Sequence, residues 1–123
     1  MITQYTSAAL VSENKSMCFP ASADSIPTSM GQEDHVSMGA ISARKTLRIV
    51  QNLEKILAIE LLCASQAFDF RRPLKSSVII EACHSQIRKK IPHIYEDVVL
   101  SEYIQIALDI IKSEELVNLS TNN

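Results

Sequence analysis

The chain has no tryptophan, only three phenylalanines and three tyrosines, two glycines and no excess of basic charge, and each shortage argues against a class of protein. With Gly31 and Gly39 as its only glycines, it is a poor candidate for an α/β fold, whose phosphate-cradling turns need several. A net charge of -2 leaves no electrostatic footprint for nucleic acid. Cys18, Cys63 and Cys83 are odd in number and far apart. Without a C-x-x-C spacing they indicate neither a zinc site nor a disulfide framework, and a reduced, cytoplasmic setting is expected. No basic segment followed by an apolar run opens the chain, so no signal peptide is expected. The densest apolar stretch, Ile56 to Ala64, contains Glu60 and falls far short of a membrane span. It also lacks the flanking tryptophan and one-sided basic face of a membrane-surface helix, so no membrane partner is expected.

What remains is a 123-residue chain, 46% hydrophobic, one domain or a piece of one. Its apolar mass is Ile, Leu, Val, Ala and Met, which suits helix packing and predicts an all-α class. Residues 1–12 read as the end of a helix, with Ile2, Tyr5, Ala9 and Leu10 as a rough apolar face. Residues 13–31 carry Pro20, Pro27 and Gly31 and keep no period, which predicts a loop. A structureless loop of about 20 residues in a compact domain is usually functional or disordered. A long helix is predicted over 32–67, where Ile41, Ala43, Leu47, Val50, Leu53, Ile56, Leu57, Leu61 and Ala64 recur, mostly at threes and fours. Its stretch 56–64 is apolar nearly all round, the mark of a helix buried on most sides. At 1.5 Å per residue the element is a rod of about 50 Å, longer than the roughly 35 Å diameter of a globule of this size. It is expected to pack against helices that this chain does not supply. Residues 77–114 predict two shorter helices, one over about 77–90 with Ile79 or Ile80, Cys83 and Ile87 inward, one over about 99–113 with Ile104, Ala107, Leu108 and Ile111 on one stripe. From Leu116 the pattern fades into a polar tail.

The octapeptide Gln32-Glu33-Asp34-His35-Val36-Ser37-Met38-Gly39 stands where the loop meets the long helix. Ser29-Met30-Gly31-Gln32 fits the S-x-x-Q capping box, which puts Gln32, Glu33 and Asp34 in the first helical turn. The helix dipole favours carboxylates there by about 0.3–1 kcal/mol each, and this is the plain reading of Glu33. Glu33, Asp34 and His35 are consecutive and do not share one helix face, so no metal site is predicted from them. Asp34 reads as a helix-start residue, His35 as a packing residue, and Cys63 as core. His84 and His93 read as surface residues, and Arg71-Arg72 as solvated.

The segment Asp24-Ser25-Ile26-Pro27-Thr28-Ser29, followed by Gln32 to Gly39, resembles the C-terminal signature of histidine ammonia-lyases, within the aromatic amino acid lyase family. So does Leu57-Ala58-Ile59-Glu60-Leu61-Leu62-Cys63-Ala64 with Gln66 and Ala67. The similarity covers most of the chain and weakens after about residue 90. The Glu-Asp-His-Val-Ser-Met form points to the histidine branch, since the phenylalanine and tyrosine enzymes usually carry Asn-Gln-Asp here. The resemblance implies an all-α, long-helix bundle, incomplete in this chain, in which 1–123 is a C-terminal helical part. It implies homotetramers, a homo-oligomer or association with lyase subunits, and conversion of L-histidine to trans-urocanate and ammonia in histidine degradation. It also implies an electrophilic methylidene-imidazolone group made from an internal Ala-Ser-Gly.

By that resemblance Glu33 corresponds to an active-site glutamate that contacts the substrate, and Met1 falls where the histidine enzymes have a pocket-lining methionine. A carboxylate suits the part. It accepts the imidazole N–H, and hydrogen bonds to charged groups are worth about 1.5–3 kcal/mol. It also assists proton transfer if burial raises its pKa, and the two roles stay open. The chain departs from the family pattern at Met30-Gly31, where Ala-Asn is usual. It also has no Ala-Ser-Gly: Ala21-Ser22-Ala23 and Ala64-Ser65-Gln66 both lack the glycine. No cofactor is expected to form from this chain, and it is expected to be inactive alone. The alternative reading is a non-catalytic helical oligomerisation module that uses the apolar face of 41–64.

Overall fold

The computed structural model describes residues 1–21, 23–33 and 39–121. They form five α-helices: α1 (Ile2–Met17), α2 (Gly39–Asp69), α3 (Val78–Lys90), α4 (Leu100–Lys112) and α5 (Glu115–Thr121), with a 3-10 turn at Ser29–Gly31. Among the described residues the only β-type pairing is an isolated bridge between Thr28 and Glu33, so the all-α class holds. The chain divides into two compact units, Met1–Leu53 and Glu54–Asn123, and α2 runs through the division.

The first unit departs most from the sequence pattern. Helix α1 continues five residues past the expected end at 12, although that stretch has no apolar period. The reason is polar. Glu13 receives both Arg48 Nε and Arg48 Nη2 at 3.2 Å. Asn52 Nδ2 donates to Glu13 Oε2 at 3.0 Å and to Asn14 Oδ1 at 2.9 Å. The Lys45 ammonium donates to the Phe19 carbonyl just beyond the helix end. Asn52 is the one buried residue among those described in this unit, and no apolar side chain there is buried.

The expected capping box does not form. Ser29, Met30 and Gly31 all have positive φ, at 53°, 55° and 84°. Gln32 N donates to Ser29 O at 3.2 Å, closing a 3-10 turn. Glu33 is therefore outside any helix, and α2 is described from Gly39 onward. Left-handed backbone costs non-glycine residues roughly 1–2 kcal/mol each, and the Thr28–Glu33 pairing holds the turn against that cost. Asp34 and His35, with the rest of 34–38, lie outside the described residues.

The second unit has a conventional core. Ala58 and Leu62 from α2, Ile87 from α3, Ile91 after it, and Ala107, Leu108 and Ile110 from α4 are buried in one cluster. The α4 stripe turns out centred on Ala107, Leu108 and Ile110, with Ile104 and Ile111 partly buried beside them. Ser77 caps α3 by accepting from Ile80 N at 3.4 Å. Arg88, Lys89 and Lys90 sit in its last turn, where cations complement the helix dipole. The predicted polar tail is instead α5. Glu114 takes a left-handed φ of 57°, which redirects the chain so that Leu116 packs on the core. Cys63, expected in the core, is exposed. The buried residues of α2 in this unit are Ala58, Ile59, Leu62 and Ser65, and Cys63 falls at the edge of the face they make.

Candidate functional site

Glu33 is carried by the turn that follows Pro27. Thr28 N donates to Glu33 O at 2.8 Å, and Glu33 N donates to Thr28 O at 3.3 Å. The Thr28 hydroxyl donates to Glu33 Oε2 at 3.4 Å. Three successive left-handed residues lie inside this closure. Strained backbone of this kind persists where the surroundings over-determine it, and it clusters at functional sites. A Cβ at Gly31 would meet nothing within 4 Å, so only its φ favours glycine there. The Glu33 carboxylate is exposed, and it can accept a further hydrogen bond from an N–H or O–H donor. Met1 is 95% exposed. Neither residue is enclosed by the described residues.

Among the described residues, a dense arrangement of polar side chains lies elsewhere, at the C-terminal turn of α2. Asp69 Oδ2 receives Arg88 Nη2 at 2.7 Å and His93 Nδ1 at 2.6 Å, and its Oδ1 lies 2.9 Å from His84 Nε2. Burial pushes the Asp69 carboxyl up, but the His93 and Arg88 hydrogen bonds and the nearby cations outweigh it, so its pKa is lowered. Gln66, one turn earlier, clasps the backbone of the α3–α4 connector: Nε2 donates to Ile94 O at 2.8 Å, and Oε1 accepts from Ile94 N at 3.2 Å. Arg72 makes a two-pronged pair with Glu81, at 3.0 and 2.8 Å. With help from the Ser76 N–H, it holds the Glu81 carboxyl down to about 2.

His84 and His93 are thus not surface residues, and Arg72 is not simply solvated. One signal for this cluster was present in the sequence: His84 and Arg88 are four apart and share a face of α3. The convergence of Gln66, Asp69 and His93 on that face had no local sign. Among the described residues no group of His, Cys, Asp and Glu could hold a metal ion, and no helix is long and apolar enough to cross a membrane.

Ala64 and Ser65 lie in mid-helix, and the Ser65 hydroxyl donates to Leu61 O at 2.8 Å. This serine is buried, helical and followed by Gln66, so it does not fit the backbone cyclisation that a methylidene-imidazolone requires. Ser22 lies outside the described residues.

An all-helical chain with a strained turn ahead of a long helix has known counterparts. The sequence profile of the aromatic amino acid lyases matches residues 1–89, and the chain belongs to that family. Within it, the chain is 53% identical over 118 residues to a histidine ammonia-lyase of Natranaerobius thermophilus, covering 96% of this chain and 23% of that protein. It superposes on the crystal structure of a histidine ammonia-lyase from Trypanosoma cruzi with a TM-score of 0.92 and 48% identity, over 97% of this chain and 24% of that one. A tyrosine aminomutase from Streptomyces globisporus gives a TM-score of 0.87 at 34% identity, over 97% of this chain and 23% of that one. The chain thus spans about 23% of the length of the curated relatives it matches, and it carries part of such a lyase.

Proposed function

We propose that this chain is part of a histidine ammonia-lyase, a C-terminal helical part, acting in the elimination of ammonia from L-histidine to give trans-urocanate. The observation that carries this reading is the 53% identity, over 96% of the chain, to a protein named for that activity. In this reading Glu33 faces the substrate. Its carboxylate accepts the imidazole N–H, and Thr28 steadies it through the hydroxyl contact. Met1 lines the same pocket. The electrophile is supplied by another segment of the lyase, because this chain has no Ala-Ser-Gly. The chain works in a homo-oligomer or in association with other lyase subunits, in the cytoplasm.

Complementation tests this. The chain is mixed with a lyase fragment that contains Ala-Ser-Gly, and urocanate absorbance is followed. Activity is expected to appear in the mixture and in neither part alone. Glu33→Ala is expected to lower it about 10- to 150-fold, the equivalent of one hydrogen bond to a charged group. Full activity in Glu33→Ala would remove Glu33 from the site.

A second reading has its own observation. Ile41, Leu47, Val50, Leu53 and Leu57 recur at intervals of three, four or six along α2 and are 42–58% exposed, so a helical stripe is left without cover. A non-catalytic oligomerisation module would use that stripe. Light scattering on the isolated chain bears on it: a stable monomer at micromolar concentration sinks this reading and leaves complementation as the test of the first.

A further inference from the structure

The cluster around Asp69 fixes the proton on His93, and that has a consequence. Gln66 cannot flip its amide, because Ile94 presents a carbonyl to one end and an N–H to the other. Its Nε2 therefore remains a donor, and this donor lies 3.1 Å from His93 Nε2. An amide NH2 has no lone pair to offer, so His93 Nε2 must accept. The ring proton is then on Nδ1, which donates to Asp69 Oδ2 at 2.6 Å. In its neutral form the His93 ring is thus limited to one tautomer, between an acceptor and a donor. The same logic applies to His84: Arg72 Nη2 lies 3.4 Å from its Nδ1, and guanidinium has only donors.

We propose that His93 is a proton-operated latch for the connector between α3 and α4. Neutral, it completes the Gln66 clasp on Ile94 and fastens the connector to the end of α2. Protonation at Nε2 turns an N–H toward the Gln66 NH2, so two donors face each other. The imidazolium keeps Asp69, an ion pair that grows stronger, and Gln66 gives way. The Gln66–Ile94 pair opens and the connector is released. The aromatic rings of Phe70 and Tyr95, at 5.6 and 4.4 Å from the His93 ring, leave the imidazole packed in place, so the moving part is the amide. The charged and titratable groups facing the cluster are Asp69 from α2, Arg72 from the loop after it, His84 and Arg88 from α3 and Tyr95 from the connector, with Glu81 behind Arg72. Arg88 opposes the imidazolium and Asp69 favours it. The Gln66 amide is the group whose contact reverses sign with the proton. This latch is independent of the part played by Glu33.

Nitrogen NMR of the histidines in the full chain, read with amide exchange from about pH 8 to about pH 5, tests the latch. His93 should show the Nδ1–H tautomer at the high end. As it protonates, Ile94 should lose at least about tenfold in protection factor while Ala107 and Leu108 in α4 keep theirs. An Nε2–H tautomer, or an imidazolium that leaves Ile94 protected, overturns the proposal. His93→Asn keeps a donor toward Asp69 and cannot titrate, so Ile94 should stay protected throughout; a pH-dependent loss as large as the parent's overturns it. Should that variant fail to fold, Gln66→Glu replaces the donor with an acceptor. It should raise the His93 midpoint by at least about one pH unit, and an unmoved midpoint overturns the proposal.

Discussion

The two units hold themselves together by different means. Residues 54–123 bury a contiguous apolar cluster from three helices and Ile91, and half-bury a carboxylate that contacts two histidines and an arginine. Residues 1–53 bury no apolar side chain among those described and are joined by Glu13, Asn14, Arg48 and Asn52. Exposed pairs such as Arg48 with Glu13, at 50% and 40% side-chain exposure, contribute only about 0–1 kcal/mol. The segment bearing Glu33 thus sits on the unit with the weaker support of its own. The chain spans about 23% of its relatives' length, and the first unit leaves large apolar side chains exposed among the described residues. The second unit can keep its order on local packing.

The largest test of this contrast is a pair of leucines on one helix. Leu62 is 3% exposed and Leu47 is 58% exposed. Leu62→Ala is expected to cost about 2–5 kcal/mol, the range for a core cavity, and Leu47→Ala under about 0.5 kcal/mol. Urea unfolding of the full chain measures both. Equal effects would erase the distinction between a closed and an open unit.

Asp69→Ala comes next. It leaves Arg88, at 14% side-chain exposure, without its carboxylate. Removing one partner of a buried pair costs about 3–5 kcal/mol, and the partial exposure of Asp69 places the expectation at the low end, about 3 kcal/mol. Amide exchange should show the loss in α3 and the connector while α1 is unchanged. Loss of protection in α1 as well would mean that the first unit depends on this cluster for its order.

Much of the second unit was legible in the sequence because α3 and α4 are amphipathic in themselves. The periods of Cys83 with Ile87 and of Ile104, Ala107 and Leu108 report packing that happens within this chain. The extension of α1 was not legible, since Glu13 and Asn14 are held by partners 35 to 39 residues away and have no apolar pattern. Helix α5 was hidden because it is seven residues long and begins after a left-handed Glu114. Glu33 was visible as a candidate by resemblance, but its setting was misread. The S-x-x-Q spacing is compatible with a capping box and with a turn, and the Thr28–Glu33 pairing across Gly31 favours the turn. The Asp69 cluster went unseen because histidines and arginines read one at a time look like surface.

Gly31 sharpens the comparison within the first unit. Its φ of +84° is open to glycine and, with less ease, to asparagine. Gly31→Ala is expected to destabilise the turn by about 1–2 kcal/mol, and Gly31→Asn by less. Proteolytic nicking between Thr28 and Glu33 reads the turn directly. If the alanine variant resists protease as well as the parent does, the left-handed turn is not what fixes Glu33.

The smallest expected effect is the acid response at Arg72 and Glu81. Glu81 is lowered from 4.5 to about 2, chiefly by the Arg72 hydrogen bond and then by the Ser76 N–H. A carboxylate depressed in the folded state binds fewer protons there than in the unfolded chain, so stability falls as pH falls. Its contribution is fully present above about 4.5 and is lost as pH drops through about 2. Asp69, also lowered, adds loss of the same sign as pH falls below its ordinary value of 3.8. Glu81→Gln should therefore be slightly less stable than the parent near neutrality, and the gap should close toward pH 2. The pair is partly open to water, with side chains 38% and 25% exposed, so added salt should shrink the difference near neutrality. A gap between parent and variant that is the same at low and neutral pH would mean that Glu81 acts on the second unit through packing alone.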